Sequence, residues 1–383
     1  MSRSAWLAAG ISGLFVAWFQ NGWGKALKQI WHKNKKKVVL WGVSGGICLF
    51  IGLALIFYMK KDSANGRLFM WKMSLNAISE RPLTGYGSGG FPEAYGMAQE
   101  AYFAAGDYAE WEEHVAGSPE YAFNEYLQIA IEWGIPAFII CLGLIVFCLW
   151  RGMRLGRIGI CGGIISLAVF SFSSYPLQLP VFIVTLIVML FSCITGSKRI
   201  WLIVFSSGIA LCSLFLWKTD DYEVSKKWTR VRMFYNTGAY ETAKTEYDSL
   251  YPILKNRAES MFEYGRCLPK LGEYDASIDI LQETSLLTCD PMVFNIIGQS
   301  YQMKGEYEEA EKLFLRSVHR LPGRIYPYYL LAKLYAEPNF FQLDKFEYAV
   351  RMVMEKEPKV QSTAIKEMRE EIRKLQEKNL NPK

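Results

Sequence analysis

The sequence predicts an all-α protein in which a polytopic α-helical membrane domain of about six spans precedes an α-solenoid of helical repeats. Three observations support this fold class. Apolar runs crowd the first 217 of the 383 residues, whereas the last 166 are charged and contain no run long enough to cross a bilayer. Within that polar part, a Gly-x-Tyr motif returns at spacings of 34 and 33 residues.

A membrane-spanning helix needs about 20 predominantly apolar residues. Six runs qualify as candidate spans, the first and third of them short: 5–19, 38–58, 135–150, 158–174, 180–195 and 200–217. Tyr121, Trp23 and Trp133 flank the short runs and could extend them through the interface.

The basic residues between these spans predict the orientation. Every basic loop falls on one side, which is then cytoplasmic; its residues are Lys25, Lys28, Lys33, Lys35, Lys36, Lys37, Arg151, Arg154, Arg157, Lys198 and Arg199. The loop 59–132, the link 175–179 and everything after residue 217 fall on the other side. We therefore expect a membrane domain at 1–217 with a large periplasmic loop at 59–132, a periplasmic repeat domain at 218–383, and residence in a bacterial inner membrane. The segregated charge indicates contact with the bilayer and no nucleic-acid partner.

The repeats combine a glycine, a tyrosine and a small residue at fixed spacing. The motifs are Gly238-Ala239-Tyr240 with Ala243, Gly272-Glu273-Tyr274 with Ser277, and Gly305-Glu306-Tyr307 with Ala310. This pattern resembles tetratricopeptide repeats, in which glycine permits a tight turn and the small residue lets paired helices approach. A degenerate fourth unit is expected at 326–354 and a charged capping helix at 362–378.

The cysteines and acids indicate no metal site and no cofactor. Six of the eight cysteines lie in apolar runs, and no CxxC or Cys/His ligand pattern is present. A disulfide between Cys267 and Cys289 stays open if that part is extracytoplasmic. Five acids of the large loop have no ligand periodicity and are typical of a solvated face: Glu110, Glu112, Glu113, Glu120 and Glu125.

Two arginines and a glycine-rich stretch are the candidate binding features. Arg67, in "NGRLFMW", and Arg3, in "SRSAW", are expected at the same outer ends of spans. Two guanidinium groups could together bind a diphosphate bidentately; the alternative is a snorkelling side chain that anchors a helix end. The stretch "PLTGYGSGGF" (82–91) could offer backbone amides to an anion or be an ordinary loop.

Four segments together resemble the C-terminal half of the O-antigen ligase family, which includes O-antigen polymerases and protein O-oligosaccharyltransferases. They are "SRSAW", "GRLFMW", "PLTGYGSGGF" and "FNEYLQIAIEWGIPAF", and the resemblance covers roughly residues 1–195. It implies a metal-independent membrane glycosyltransferase that moves a glycan from undecaprenyl diphosphate to lipid A-core, another glycan or a protein. Arg3 and Arg67 would then hold the diphosphate, and Asn124 and Tyr126 would position sugar hydroxyls.

The sequence departs from the family in two respects. Phe123 occupies the position where the family commonly has a histidine, the suggested base for the acceptor hydroxyl, and the family's amino-terminal spans are expected to be missing. The remaining candidates for a catalytic base are Glu120, Glu125 and His114. The repeat domain is expected to recruit the acceptor. The alternative is a non-catalytic membrane-anchored repeat scaffold for assembly of the cell envelope.

Overall fold

The structure is a computed structural model that describes residues 3–58, 61–195, 197–216 and 220–380. Over these residues the chain is helical and contains no β-strand. In chain order the α-helices are α1 (Arg3–Gln20), α2 (Trp23–Tyr58), α3 (Lys61–Glu80), α4 (Phe91–Ala104), α5 (Glu110–Val115), α6 (Glu125–Arg154), α7 (Ile158–Ser171), α8 (Pro180–Ile194), α9 (Lys198–Leu216), α10 (Asp220–Asn236), α11 (Tyr240–Leu254), α12 (Ala258–Cys267), α13 (Tyr274–Ser285), α14 (Met292–Lys304), α15 (Tyr307–Arg320), α16 (Ile325–Tyr335), α17 (Leu343–Glu355) and α18 (Thr363–Leu380).

The chain forms two compact units. The first, called the membrane unit, comprises Met1–Trp71, Glu80–Gly87 and Tyr121–Lys218. The second, called the repeat unit, comprises Lys72–Ser79, Ser88–Glu120 and Thr219–Lys383. Residues 88–120, expected in the periplasmic loop of the membrane domain, thus form a compact unit with the repeats.

In the membrane unit, α1 packs against α7, and α6, α7 and α8 pack against one another. Among the described residues, α6 is the one helix long and apolar enough by itself to cross a membrane. The shorter apolar helices Ser4–Gln20, Ile158–Ser171 and Pro180–Ile194 coincide with three further expected spans. The expected spans 38–58 and 200–217 fall in α2 and α9, where many side chains lie outside the described residues. Most of the lysine-rich connection expected between the spans 5–19 and 38–58 is helical: α2 begins at Trp23 and departs from helical geometry at Asn34.

The repeat unit consists of antiparallel helix pairs, as the periodicity predicted. The pairs are α10 with α11, α12 with α13, α14 with α15, and α16 with α17; α18 packs on the last pair. The glycines that open the repeat motifs have left-handed backbones, with φ of +82°, +79° and +81° at Gly238, Gly272 and Gly305. A side chain in that conformation is strained, which explains glycine there. The small residues Ala243, Ser277 and Ala310 are fully buried.

Helix α4 of the loop packs against repeat helix α15. The Glu100 carboxylate accepts hydrogen bonds from Arg316 Nε at 2.7 Å and from Arg320 Nε at 3.1 Å. The Gln99 side-chain amide donates to the Arg320 carbonyl. A Cβ atom on Gly96 would lie 2.5 Å from Arg320 Nη1, so a side chain at this position would require the guanidinium group to move. We call this arrangement the loop–repeat contact.

The two cysteines of the polar part are free and buried, so the disulfide alternative is wrong. Cys267 lies at the end of α12. Cys289 packs beside the loop and its thiol donates to the Pro119 carbonyl at 3.3 Å. Burial raises the pKa of Cys289 to about 12, so the thiol stays protonated at neutral pH.

Candidate functional site

Helix α6 is broken close to its start, and the break determines how the glycine-rich loop is held. Gly134 has φ of +83°, and Pro136 follows inside the helix. Because proline has no N–H, the Glu132 carbonyl loses the helical donor it would otherwise have. The amide of Gly87 replaces that donor at 2.9 Å.

Two further backbone hydrogen bonds connect the glycine-rich loop to the broken part of α6. The Tyr86 amide donates to the Ile131 carbonyl at 2.9 Å, and the Ile135 amide donates to the Pro82 carbonyl at 2.8 Å. A Cβ atom on Gly85 would lie 2.5 Å from Glu132 and Ile131 backbone atoms, so the loop reaches α6 only with glycine there. The amides of residues 86 and 87 therefore support the helix break instead of facing an anion.

The start of α6 is fixed by its own capping residue. Asn124 is buried, and its side-chain oxygen accepts hydrogen bonds from the amides of Tyr126 at 3.0 Å and Leu127 at 3.2 Å. These bonds satisfy two of the unpaired N–H groups of the first helical turn. The Tyr126 hydroxyl donates to the Ala168 carbonyl of α7 at 2.8 Å. Both side chains expected to position sugar hydroxyls thus bind other parts of the protein.

Phe123, directly before the cap, has an unusual backbone. Its φ of +49° makes it the one non-glycine residue with positive φ among those described. Such a conformation costs on the order of 1–3 kcal/mol in a bulky residue and is enriched at functional sites. It occurs at the position where the family commonly has histidine.

Three side chains converge on the short link 172–179 between α7 and α8. Arg67 Nη1 donates to the Ser173 carbonyl at 3.0 Å. The Phe123 ring meets the Tyr175 ring edge to face at a centroid distance of 4.9 Å. The buried Glu125 carboxylate accepts a hydrogen bond from the Leu177 amide at 2.6 Å. We call Arg67, Phe123 and Glu125, with the part of the link they contact, the link site.

Within the link site, Arg67 has an aromatic neighbour and no acidic partner. Its guanidinium carbon lies 5.8 Å from the centroid of the Phe123 ring, within the range of a cation–π contact. Among the described residues, no carboxylate forms an ion pair with this half-buried arginine. Its side chain therefore offers a positive charge and further N–H donors to a ligand. The side chain of Arg3, the other expected diphosphate ligand, lies outside the described residues.

The other candidate bases lie elsewhere. Glu120 and His114 are exposed and belong to the repeat unit, whereas Glu125 belongs to the membrane unit with Arg67 and Phe123. Across the described parts of the chain, no group of three or more His, Cys, Asp or Glu is arranged to hold a metal ion.

Sequence reasoning missed the contribution of the link. Tyr175 and Leu177 were assigned only to a connection and Ser173 to the end of the span 158–174, although the orientation rule had placed the link 175–179 on the same side as the loop. A tyrosine and a proline in a short connection between two apolar runs were the available signal.

One segment of the chain matches a known protein family. Residues 1–142 match the family model described as O-antigen ligase. This segment is therefore similar to the O-antigen ligase domain, and we refer to it below by that name. The resemblance that the four motifs indicated is thereby confirmed, and the matched residues include Arg67, the glycine-rich loop and the segment Phe123–Tyr126. The O-antigen ligase domain implies a bacterial membrane protein and supports ligase-like glycan transfer in general terms.

Comparison with solved structures gives neighbours for a further part of the chain. A crystal structure of MamA is 16% identical, covers 42% of this chain and 95% of its own, and has a TM-score of 0.31. The MamA segment from Desulfovibrio magneticus RS-1 is 15% identical, covers 50% of this chain and 96% of its own, and has a TM-score of 0.31. A search of curated proteins finds no match.

Proposed function

We propose that this protein transfers a glycan from an undecaprenyl-diphosphate carrier to a lipid, glycan or protein acceptor at the outer face of the inner membrane. The observation that carries the proposal is Arg67. It lies inside the O-antigen ligase domain, and its guanidinium group has no acidic partner among the described residues. A charge left uncompensated in this way is suited to an anionic ligand.

The diphosphate end of the donor is the anion that this site would bind. In the transfer, the acceptor hydroxyl attacks the anomeric carbon, and the bond from that carbon to the diphosphate oxygen breaks. The bonding electrons leave with the diphosphate, which gains negative charge as the bond breaks. Arg67 would stabilise that charge more in the transition state than in the ground state, which is the requirement for catalysis.

The proton of the acceptor hydroxyl needs a destination. Glu125 is the candidate base that shares the link site with Arg67, and its buried carboxylate is held in place by the Leu177 amide. Phe123 cannot take a proton, and its ring packs between Arg67 and Tyr175. We therefore assign Phe123 to orienting the guanidinium group and Glu125 to receiving the proton. Asn124 and Tyr126 would support this arrangement through the cap and the contact to α7.

One observation favours a second function, a non-catalytic scaffold. Phe123 replaces the histidine that the family commonly uses, so the usual proton acceptor is absent from its position. In that case the repeat unit would bind partners of envelope assembly and the link site would hold the lipid diphosphate without transferring its glycan.

Transfer by membrane vesicles separates the two functions. Vesicles from the native host are supplied with a radiolabelled lipid-linked glycan, and loss of the lipid-linked form is followed with time. We expect consumption by wild type, loss of most consumption with Glu125→Gln, a smaller loss with Phe123→Leu, which removes the ring beside Arg67 but no proton acceptor, and little change with Glu120→Gln or His114→Ala. Wild-type vesicles that leave the donor intact, like vesicles from a deletion strain, would favour the scaffold.

A further inference from the structure

The repeat unit contains a cavity of about 450 Å³ between the end of the loop and the last repeat. One wall comes from Ala116 and Gly117, which follow α5. The other walls come from the start of α16, the connection after α17 and the first turns of α18. The volume lies within the range of roughly 300–1,000 Å³ that is usual for small-ligand sites. Both sides of the cavity belong to the same compact unit.

Most of the cavity wall is aliphatic. Its apolar side chains are Leu321, Ile325, Pro358, Val360, Ile365 and Met368. Val360 is 75% exposed, although it is a β-branched aliphatic residue that gains by burial. The wall therefore offers apolar surface to a ligand with an apolar part.

Two cations face this apolar wall. Arg324 precedes α16, and Lys359 lies in the connection after α17. The one acidic residue of the lining, Glu113, forms an ion pair of 2.7 Å with Lys356 instead. Among the described residues, no carboxylate forms an ion pair with Arg324 or Lys359. The lining therefore has an excess of positive charge.

The position of Lys359 brings the like charges close together. Its ammonium group donates to the Ala116 carbonyl at 2.8 Å, which holds it against the loop wall. Burial, and next the nearby Arg324, lower the pKa of Lys359, while Glu113 opposes the shift. Repulsion between the two cations would be relieved by an anion placed between them.

We propose that this cavity binds the C-terminal carboxylate of a peptide whose last residue is apolar. Arg324 presents a planar fork that matches a carboxylate, Lys359 adds a second charge, and the aliphatic wall accepts the last side chain. An acidic sugar fits less well, because each of its hydroxyl groups needs a polar partner and the wall provides few. The binding stands whether or not the membrane unit transfers a glycan.

The test measures binding to the full chain in detergent micelles by isothermal titration calorimetry. The probes are the tripeptide Ala-Ala-Leu, its C-terminal amide, and a glucuronate-containing disaccharide. We expect the free acid to bind at least about 10-fold more tightly than the amide, since the amide has no charge for the two cations. Arg324→Gln should weaken binding of the free acid about 10-fold, and Lys359→Gln should weaken it by a smaller factor.

The control variant is Arg351→Gln, because Arg351 is an exposed arginine of α17 that is not part of this lining. It should bind the free acid like wild type, and helicity measured by circular dichroism should be unchanged in all three variants. Equal affinity for the acid and the amide would overturn the proposal. So would unchanged binding in Arg324→Gln, or a disaccharide that binds more tightly than the peptide.

Discussion

The loop–repeat contact gives the most quantitative prediction. The Arg320 side chain is 3% exposed and the Glu100 side chain 18% exposed. Burial lowers the pKa of Arg320, and the Glu100 carboxylate opposes that shift. The arginine remains charged at neutral pH, because the usual pKa of a guanidinium group is far above that range. Removing Glu100 would leave a buried cation without its partner.

The exposed fractions of the Arg320 and Glu100 side chains determine how much stability the loss of Glu100 should cost. Breaking a buried ion pair by deleting one partner costs about 3–5 kcal/mol. Since Glu100 keeps some contact with water, we expect about 3 kcal/mol for Glu100→Ala. Glu100→Gln retains one acceptor oxygen for the guanidinium group, so about 1–2 kcal/mol is expected.

Hydrogen exchange of the full chain, followed by mass spectrometry, measures the loss of stability at helix α4 itself. Peptides covering α4 should exchange about 100-fold faster in Glu100→Ala, since about 1.4 kcal/mol corresponds to a factor of ten. Glu93→Gln is the matched control, because Glu93 lies on the same helix and forms no ion pair among the described residues. Exchange of α4 that is the same in Glu100→Ala as in wild type would refute the assignment of the contact as stabilising.

Three further predictions concern packing, pH and capping. Ala310→Trp should lower the melting temperature of the full chain, because Ala310 is fully buried and overpacking costs roughly 1–3 kcal/mol; an unchanged value would contradict the helix packing. Burial would raise the pKa of Glu112, but hydrogen bonds from the side chains of Lys72 and Tyr102 and from the Ala109 amide outweigh burial and lower that pKa below the usual 4.5. The stabilisation is therefore full above pH 4.5 and lost as the pH falls through the lowered value, so exchange of α5 should accelerate there in wild type but not in Glu112→Gln. Asn124→Ala should destabilise the start of α6 by about 1 kcal/mol, whereas Asn124→Asp should restore it; equal exchange in both would exclude the cap.

The repeat architecture was predictable because its determinants are local. A glycine with positive φ at each turn and a small buried residue five positions later are readable from spacing alone, as at Gly305 and Ala310. The loop–repeat contact was not predictable, because Glu100 and Arg320 are 220 residues apart and each is typical of a solvated helix face. Only the folded chain brings them together.

The link site was predictable in part. Arg67 was predicted as a diphosphate ligand from its position after a span and Glu125 as a candidate base beside the motif asparagine, and the structure brings both to the link. Asn124 was interpreted as a sugar ligand, whereas it caps α6 in the structure. The sequence shows Pro136, which has no N–H and so leaves a carbonyl of α6 without its helical donor. It does not show that an amide of the glycine-rich loop replaces that donor, so the role of this loop could not be predicted.

The most direct test of the central claim is glycan transfer by Arg67→Lys. The substitution keeps the positive charge but removes the planar pair of donors that can hold a diphosphate bidentately. Arg154→Lys is the matched control, since Arg154 also lies over an aromatic ring, that of Trp150 at 4.0 Å, but at the far end of α6. We measure consumption of the lipid-linked glycan in native membranes that contain equal amounts of each protein. We predict that Arg154→Lys transfers like wild type while Arg67→Lys loses at least about 90% of transfer and accumulates the lipid-linked donor, which corresponds to about 1.4 kcal/mol or more of lost transition-state stabilisation. Wild-type transfer by Arg67→Lys would contradict diphosphate binding at the link site.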